Sequence, residues 1–286
     1  MSFKLIVVSV VVLVLFFACG KDGKDVDQSD DDGPTPSNEE PAIGDEWFRP
    51  VANVSWQWQL LGTVNTTYDV DIYDIDLFDS PQALIKSLQD VGKKVICYFS
   101  AGSYENWRED AGSFDGNVRG KPLDEWEGEA WLDIRSKNVH QVMLKRLDLA
   151  KQKGCDGVEP DNVDGYTNDT GFPLQAEDQL IYNKFLAEGA HQRGLAVGLK
   201  NNIAQVAELV GFFDFSINEQ CHEYNECEDL KLFIQANKPV FNIEYAAKYV
   251  ENKDLRSDLC DSAAKSGFHT LVMPLNLDDT FRMSCK

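Results

Sequence analysis

The chain has 286 residues, of which 48 are acidic and 27 are basic, so its formal net charge at pH 7 is −21. A charge of this sign and size excludes the class of nucleic-acid binders and favours a cationic or neutral partner. The length is enough for one large domain or two small ones.

The first 19 residues have the pattern of a secretion signal. Lys4 precedes an apolar run from Leu5 to Ala18, which is too short to span a membrane. Ala18 before Cys19 resembles a bacterial lipobox, in which the lipidated cysteine becomes the N-terminus and anchors the protein to a membrane. Cleavage after Gly20 without lipidation is the alternative, and we favour the lipoprotein. Both interpretations place the protein outside the cytoplasm, in the extracellular space or on the outer cell surface.

Residues 20–46 are acidic and contain almost no large apolar side chains. They hold ten acidic residues and two lysines, a charge of −8. Such a segment cannot bury enough apolar surface to offset the entropy lost on ordering, so we predict a disordered tether. Removing this −8 and the +1 of Lys4 from the total of −21 leaves −14 on residues 47–286, the predicted folded domain.

Apolar, β-branched runs recur eight times in the folded part and predict eight strands. They are 55–60, 70–78, 94–100, 156–161, 196–201, 213–219, 239–245 and 269–275. Amphipathic stretches between most of them predict helices at 81–90, 139–153, 178–193, 202–209, 230–237 and 254–265. Strand and helix in alternation, to a count of eight strands, predict a single-domain α/β fold of the (β/α)8 TIM-barrel type. A doubly wound open sheet is the alternative, but no Gly-rich phosphate loop follows the first strand.

Barrel enzymes carry their chemistry at the carboxyl ends of the strands. Here those ends are rich in aromatic and acidic residues, with no Cys/His set for zinc and no Ser–His pairing, so we expect neither a metal nor a cofactor. Aromatic rings stack on sugar faces and carboxylates bind hydroxyls or amines, so this rim suggests a carbohydrate substrate. The long loop 102–134 is predicted to form a wall of the binding cleft, since loops of that length are usually functional. The predicted substrate-binding residues at the rim and in this loop are Asp74, Asp76, Tyr98, Ser100, Tyr104, Trp131, Asp133, Arg135, Asp164, Tyr166, Lys200 and Glu244.

The fourth predicted strand ends in a cluster of acids that includes Glu159, Asp161 and Asp164. Their spacing does not match an EF-hand calcium loop. In an extended strand Glu159 and Asp161 share one face while Val158 and Pro160 take the other, which predicts a buried strand with acids at its tip.

Six cysteines follow Cys19, and a secreted protein is expected to oxidise them. We expect Cys221 to pair with Cys227, and Cys260 to pair with Cys285 near the C-terminus. Cys97 and Cys155 lie on neighbouring predicted strands, where either a disulfide or two buried thiols would fit.

Several separate runs of the folded part resemble glycoside hydrolase family 114. They are Asp74–Asp79, Val95–Ser103, Glu129–Arg135, Cys155–Tyr166 and Asn218–Cys221. The resemblance implies a (β/α)8 barrel that acts as an endo-α-1,4-polygalactosaminidase. Its implied substrate is an α-1,4-linked galactosamine polymer, cationic or partly acetylated, such as galactosaminogalactan. It also implies a catalytic Asp at the tip of the fourth strand and a catalytic Glu further along the chain; Asp161 matches the first and Glu219 the second, with Glu244 as the rival.

Glycoside cleavage itself requires two carboxyl groups, one protonated to assist the leaving oxygen and one ionised to attack or stabilise the anomeric carbon. By analogy with other retaining α-glycosidase barrels, we expect Asp161 to be the nucleophile and Glu219 the acid/base. Lys200 is expected either to keep Asp161 ionised or to form an ordinary structural ion pair.

Two other functions fit the same sequence. One is a non-catalytic glycan-binding lipoprotein on the same barrel, and the other is an α-glycosidase for a different sugar. In each case we expect a monomer. Retention of both Asp161 and Glu219 favours the enzyme over the binding protein.

Overall fold

The computed structural model describes residues 47–124 and 126–285, so the predicted signal peptide and tether lie outside the described residues. Eight parallel strands pair side by side in a curled sheet. These strands are β1 (Trp56–Gln59), β2 (Ile72–Asp76), β3 (Lys94–Ser100), and then, after a three-strand insertion, β7 (Gly157–Asp161), β8 (Ala196–Lys200), β9 (Phe215–Glu219), β10 (Val240–Glu244) and β11 (His269–Val272). Each lies within a predicted strand, and the sheet confirms the (β/α)8 type of fold.

Helices follow most of the strands, as predicted. They are α1 (Gln82–Asp90), α2 (Lys137–Lys153), α3 (Ala176–His191), α4 (Val206–Leu209), α5 (Cys221–Tyr224), α6 (Cys227–Gln235), α7 (Ala247–Glu251) and α8 (Lys253–Ser266). The helix α2 begins at a Ser136 cap and ends at Gly154, whose φ of 88° is readily adopted only by a residue without a Cβ.

The first connection departs from the ideal barrel, since the described residues 60–71 contain no helix. Asn65 turns the chain by accepting hydrogen bonds from the backbone and side chain of Thr67. Asp279, near the C-terminus, accepts hydrogen bonds from Gln57, Asn65 and Tyr68. The end of the chain therefore fastens this connection to the barrel. The indole of Trp56 also donates to the carbonyl of His269, 3.0 Å away, which links β1 to β11.

Two apolar layers sort the strand residues by the direction in which they point. One layer fills the space inside the curled sheet and includes Trp58, Phe215, Ile217 and Ile243. The other lies between the strands and the helices. Because side chains alternate along a strand, residues two positions beyond an interior residue also point inward. This alternation decides which polar residues at the strand ends can meet.

The predicted long loop after β3 contains its own antiparallel sheet. Its strands pair in the order β4 (Ser103–Glu105), β6 (Glu129–Leu132), β5 (Arg119–Pro122). Buried Arg108 joins this insertion to the barrel, because its guanidinium contacts Asp76 at 2.6 Å and Glu105 at 2.8 Å.

The chain then ends in β12 (Met283–Ser284), which pairs antiparallel with β11. Three disulfides join Cys97 to Cys155, Cys221 to Cys227 and Cys260 to Cys285. Both expected pairings are confirmed, and the open question at Cys97 and Cys155 is resolved as a bond. The bonds fit an oxidising compartment. Within the described part of the chain, we find no helix that is both long and apolar enough to cross a membrane.

Candidate active site

Three adjacent strands end in charged residues that meet inside the barrel mouth. Asp161 ends β7, Lys200 ends β8 and Glu219 ends β9. The Lys200 ammonium lies 3.0 Å from Asp161 Oδ1 and 3.3 Å from Glu219 Oε2. It also lies 3.3 Å from Glu159 Oε1, one step deeper on the inward face of β7.

Lys200 is buried, with only 3% of its side chain exposed. Burial alone would lower its pKa, but the charges of Asp161, Glu219 and Glu159 outweigh that effect and raise the pKa well above its ordinary value. The lysine is therefore a permanent cation, and it holds the two predicted catalytic carboxylates on either side of one positive charge.

Each of these three residues is followed by a residue in the left-handed region of the backbone. The φ angles are 60° at Asn162, 47° at Asn201 and 62° at Gln220. Such conformations cost free energy in a residue other than glycine and cluster at functional sites. Here they turn the chain sharply as each strand ends.

The loop after Asp161 also packs closely against the end of β3. A Cβ on Gly102 would lie 1.7 Å from the carbonyl oxygen of Asn162, so only glycine fits there. The backbone N–H of Asn162 donates to Asp161 Oδ1 at 2.7 Å. This close packing fixes the position of the Asp161 carboxylate.

Two tyrosines complete the hydrogen bonding of the carboxylates. Tyr98 donates its hydroxyl to Asp161 Oδ2 at 2.9 Å, and Tyr245 donates to Glu219 Oε1 at 2.5 Å. Burial and the neighbouring carboxylate raise the pKa of each tyrosine, so both remain protonated donors. Asn201 adds a third contact, from its Nδ2 to Glu219 Oε2 at 3.1 Å.

The cleft above these residues has a volume of about 610 Å³, a size common for binding sites. Six predicted site residues line it: Tyr98, Trp131, Asp161, Asp164, Lys200 and Glu219. The insertion supplies one wall through residues 121–124, Trp126, Glu129 and Trp131, as predicted for this segment. The indole of Trp126 is about half exposed and so presents an apolar face to solvent.

Two carboxyl groups in the cleft have raised pKa values. Burial, reinforced by the charge of Asp161, raises the pKa of Asp164 to about 6. Burial also raises the pKa of Glu129 to about 7, although Ser103 Oγ donates to it at 2.6 Å. Near neutral pH these groups can exchange protons with a bound ligand.

Several predicted substrate-binding residues lie outside the lining of the cleft. Asp76 is buried against Arg108 and accepts hydrogen bonds from the N–H groups of Phe78 and Asp79. Ser100 is buried and hydrogen-bonded to Ser103. Asp74 is buried beneath the cleft. Direct contact with substrate is therefore no longer expected of Asp74, Asp76 or Ser100.

Direct contact with substrate is also no longer expected of four predicted residues in the insertion and the loops that follow it. Tyr104 is covered by Arg119, whose guanidinium carbon lies 4.0 Å above its ring. Asp133 and Arg135 pair with each other at 2.8 Å. Tyr166 packs against the outer apolar layer.

The alternation of side chains along a strand distinguishes Glu219 from Glu244, the rival candidate for the second catalytic carboxylate. Phe215 and Ile217 belong to the interior layer, so Glu219, next on the same face of β9, points into the barrel mouth. Ile243 belongs to that interior layer too, so its neighbour Glu244 points the other way. Glu244 accepts the backbone N–H of His222 at 2.9 Å and is fully buried outside the cleft.

The sequence reasoning did not select Tyr245, Asn201 or Glu129 as site residues. Tyr245 and Asn201 each immediately follow a strand, which was the available signal. As for metal ligands, one Cys/His group in the described chain has suitable spacing, Cys221 with His222 and Cys227. The disulfide between its two cysteines removes their thiolates, so this group does not fit a metal.

A barrel whose strand ends hold two carboxylates about a buried lysine, below a sugar-sized cleft, has the features of a glycoside hydrolase. Comparison with known proteins agrees and is more specific. The chain belongs to glycoside hydrolase family GH114, whose family model matches residues 37–286.

Solved structures similar to this chain include Ega3 of Aspergillus fumigatus in complex with galactosamine. It is 43% identical, with a TM-score of 0.79, and the match covers 85% of this chain and all of that one. The glycoside hydrolase domain of PelA from Pseudomonas aeruginosa is 16% identical with a TM-score of 0.64, over 80% of this chain and 98% of that domain, and supports the fold alone. An uncharacterised protein of Deinococcus radiodurans is 26% identical over 240 residues, which are 74% of this chain and 76% of that protein. The chain is a glycoside hydrolase.

Proposed function

We propose that this enzyme cleaves α-1,4-linked galactosamine polymers internally, with Asp161 as nucleophile and Glu219 as acid/base, by a retaining mechanism. The observation that carries the proposal is the shared contact of both carboxylates with Lys200. Their contacting oxygens are 3.0 and 3.3 Å from one nitrogen, so they are no farther apart than the sum of the two distances, about 6.3 Å. This upper limit applies to the two contacting oxygens and admits the separation of about 5–5.5 Å between carboxyl groups that is typical of retaining enzymes.

Asp161 and Glu219 each accept two hydrogen bonds and contact Lys200, so their donors do not distinguish the two roles. Exposure to solvent does distinguish them, because the Asp161 side chain is 18% exposed and that of Glu219 is more open. The Glu219 side chain is 27% exposed, so water can deliver its proton. In the first step an Asp161 oxygen bonds to the anomeric carbon as the bond from that carbon to the glycosidic oxygen breaks, and Glu219 protonates this oxygen, which leaves as a hydroxyl of the departing sugar chain. In the second step Glu219 takes a proton from water, whose oxygen displaces Asp161 and regenerates both groups.

The cleft also suits an amino-sugar chain. Asp124 and Asp164 line it and offer negative charge to protonated amines, while Trp126 offers a face for stacking on a sugar ring. The likeness to Ega3 with bound galactosamine supports the same sugar class. We propose deacetylated or partly acetylated galactosamine polymer as the substrate.

The test is to incubate the purified protein with α-1,4-galactosamine oligomers and with α-1,4-glucose oligomers of equal length. Mass spectrometry should show internal cleavage of the galactosamine series alone, and proton NMR of the first product should show the α-anomer. Cleavage of the glucose series would indicate a different α-glycosidase. An initial β-anomer would refute the retaining mechanism.

We also propose that the enzyme acts outside the cytoplasm as a monomer, anchored through a lipidated Cys19. The three disulfides support an oxidising location. Radioactive palmitate fed to expressing bacteria should label the full chain but not its Cys19→Ala variant. Equal labelling of both, or none of either, would exclude the anchor.

A further inference from the structure

Two carboxyl groups lie in the barrel interior below the catalytic pair and are buried away from solvent. Asp74, on the inward face of β2, is 1% exposed, and Glu159, on the inward face of β7, is fully buried. They lie within hydrogen-bonding reach of each other. Among the residues that the structure describes, no donor makes a hydrogen bond to any of their four oxygens.

Two ionised carboxylates in this arrangement would repel each other, and three of their four buried oxygens would have neither a hydrogen bond nor an ion pair among the described residues. One proton shared between them removes both problems, because a carboxylic acid can donate to a carboxylate. The remaining negative charge of the pair then faces a cation: Lys200 Nζ lies 3.3 Å from Glu159 Oε1. The same ammonium contacts Asp161 and Glu219 on its other side.

We propose that Asp74 and Glu159 share one proton and together act as a buried positioning pair, which holds the Lys200 ammonium below Asp161 and Glu219. With one proton the pair balances the pull of the two upper carboxylates on Lys200. Without that proton a second buried negative charge would draw Lys200 downward, away from Asp161. The proposal rests on the roles proposed above for Asp161 and Glu219.

The surroundings agree with a pair that keeps its proton near neutral pH. Burial raises the pKa of Asp74 to about 7, although Lys200 opposes this shift. Burial, followed by the charge of Asp74, raises the pKa of Glu159 well above its ordinary value. The other titratable groups that face the pair or its lysine are Asp161 on β7, Tyr98 on β3, Glu219 on β9 and Tyr245 after β10. Both tyrosines stay protonated in this range, because burial and the neighbouring carboxylates raise their pKa values.

Infrared difference spectra of the folded protein between pH 6 and pH 9 test for the shared proton directly. As the pH rises, the wild type should lose the carbonyl band of the protonated Asp74–Glu159 pair. Asp74→Asn and Glu159→Gln should each lack the band of this pair. Glu244 and Glu129 also have raised pKa values, so Glu244→Gln and Glu129→Gln serve as controls in which the band of the pair should remain. A wild-type spectrum with no band of a protonated acid at pH 6 overturns the proposal without any variant, and so does a band unchanged in both pair variants.

The kcat values of the two variants distinguish the role of Asp74 from that of Glu159. Asn at position 74 can still donate to Glu159, so Asp74→Asn should keep kcat within about threefold of wild type at pH 6. Glu159→Gln removes the charge that faces Lys200 and should lower kcat at least about tenfold. Equal losses in both variants would show that Asp74 and Glu159 are merely structural. The infrared result does not depend on turnover, so a wrong substrate would leave it intact.

Discussion

Replacement of Lys200 by methionine should destabilise the protein and do so more strongly as the pH rises. The ammonium contacts three carboxylates, and 3% of the lysine side chain is exposed. Removing one partner of a buried ion pair costs about 3–5 kcal/mol because the other charge is left uncompensated. The side chains of Asp161 and Glu219 are 18% and 27% exposed, so water stabilises them in part. We therefore expect a loss near the lower end, about 3 kcal/mol at pH 7.

The pH dependence follows from the pKa of Glu159. Burial holds this pKa well above its ordinary value and the charge of Lys200 opposes that shift, so Lys200→Met should raise the folded-state pKa of Glu159 further. A group with a raised folded-state pKa contributes stability below its unfolded pKa and loses it as the pH rises through the folded pKa. The deficit of Lys200→Met should thus grow as the pH rises from 4.5 to 8.

Urea unfolding of wild type and Lys200→Met at pH 4.5, 6.5 and 8 measures this deficit in stability. The kcat/KM of Lys200→Met should also fall by about 100-fold, because Asp161 loses its alignment. Lys153→Met is the matched control, since the Lys153 ammonium hydrogen-bonds the backbone carbonyls of Leu77, Phe78 and Ser80. Its deficit should be the same at all three pH values. A deficit of Lys200→Met that is equally flat, or below about 1 kcal/mol at pH 8, would refute the electrostatic role given to Lys200.

Three further outcomes are expected. Tyr98→Phe and Tyr245→Phe should each lower kcat about tenfold, since a hydrogen bond to a charged group contributes about 1.5–3 kcal/mol. Steady-state rates equal to wild type in both variants would contradict the roles of these hydroxyls. Cys260→Ser with Cys285→Ser should lower the free energy of unfolding by about 3–4 kcal/mol in urea titrations, as its loop length predicts, and leave kcat unchanged. For deacetylated polymer, kcat/KM should fall as the salt concentration rises. The reason is that a negative surface attracts a polycation, and salt at 0.1 M screens that attraction over about 10 Å. An equal response of fully acetylated, neutral polymer would show that the acidic surface does not capture substrate.

The order of strands and helices was predictable because each element carries its own local pattern. The strand β8, for example, is a short apolar run preceded by Gly194, whose positive φ of 69° ends the preceding helical segment. The insertion was less predictable: a length typical of a functional loop does not show that it contains β4, β5 and β6.

Residues at the strand ends were predictable as a set but not individually. Asp76 looked like a rim acid, but Arg108, 32 positions away, takes both of its oxygens. The choice between Glu219 and Glu244 depends on which face of each strand points into the barrel, and that is set by the neighbouring strands. Contacts that join distant parts of a chain leave no mark in local sequence.

The most direct test of the catalytic pair is the rate of α-1,4-galactosamine oligomer cleavage, followed by mass spectrometry, in Asp161→Asn, Glu219→Gln and Glu244→Gln. The first two variants should lose essentially all hydrolysis while their circular dichroism matches that of wild type. Glu244→Gln, which alters a buried residue outside the cleft, should retain it. Near-normal cleavage by correctly folded Asp161→Asn or Glu219→Gln would contradict the assignment of these two carboxylates as the catalytic pair.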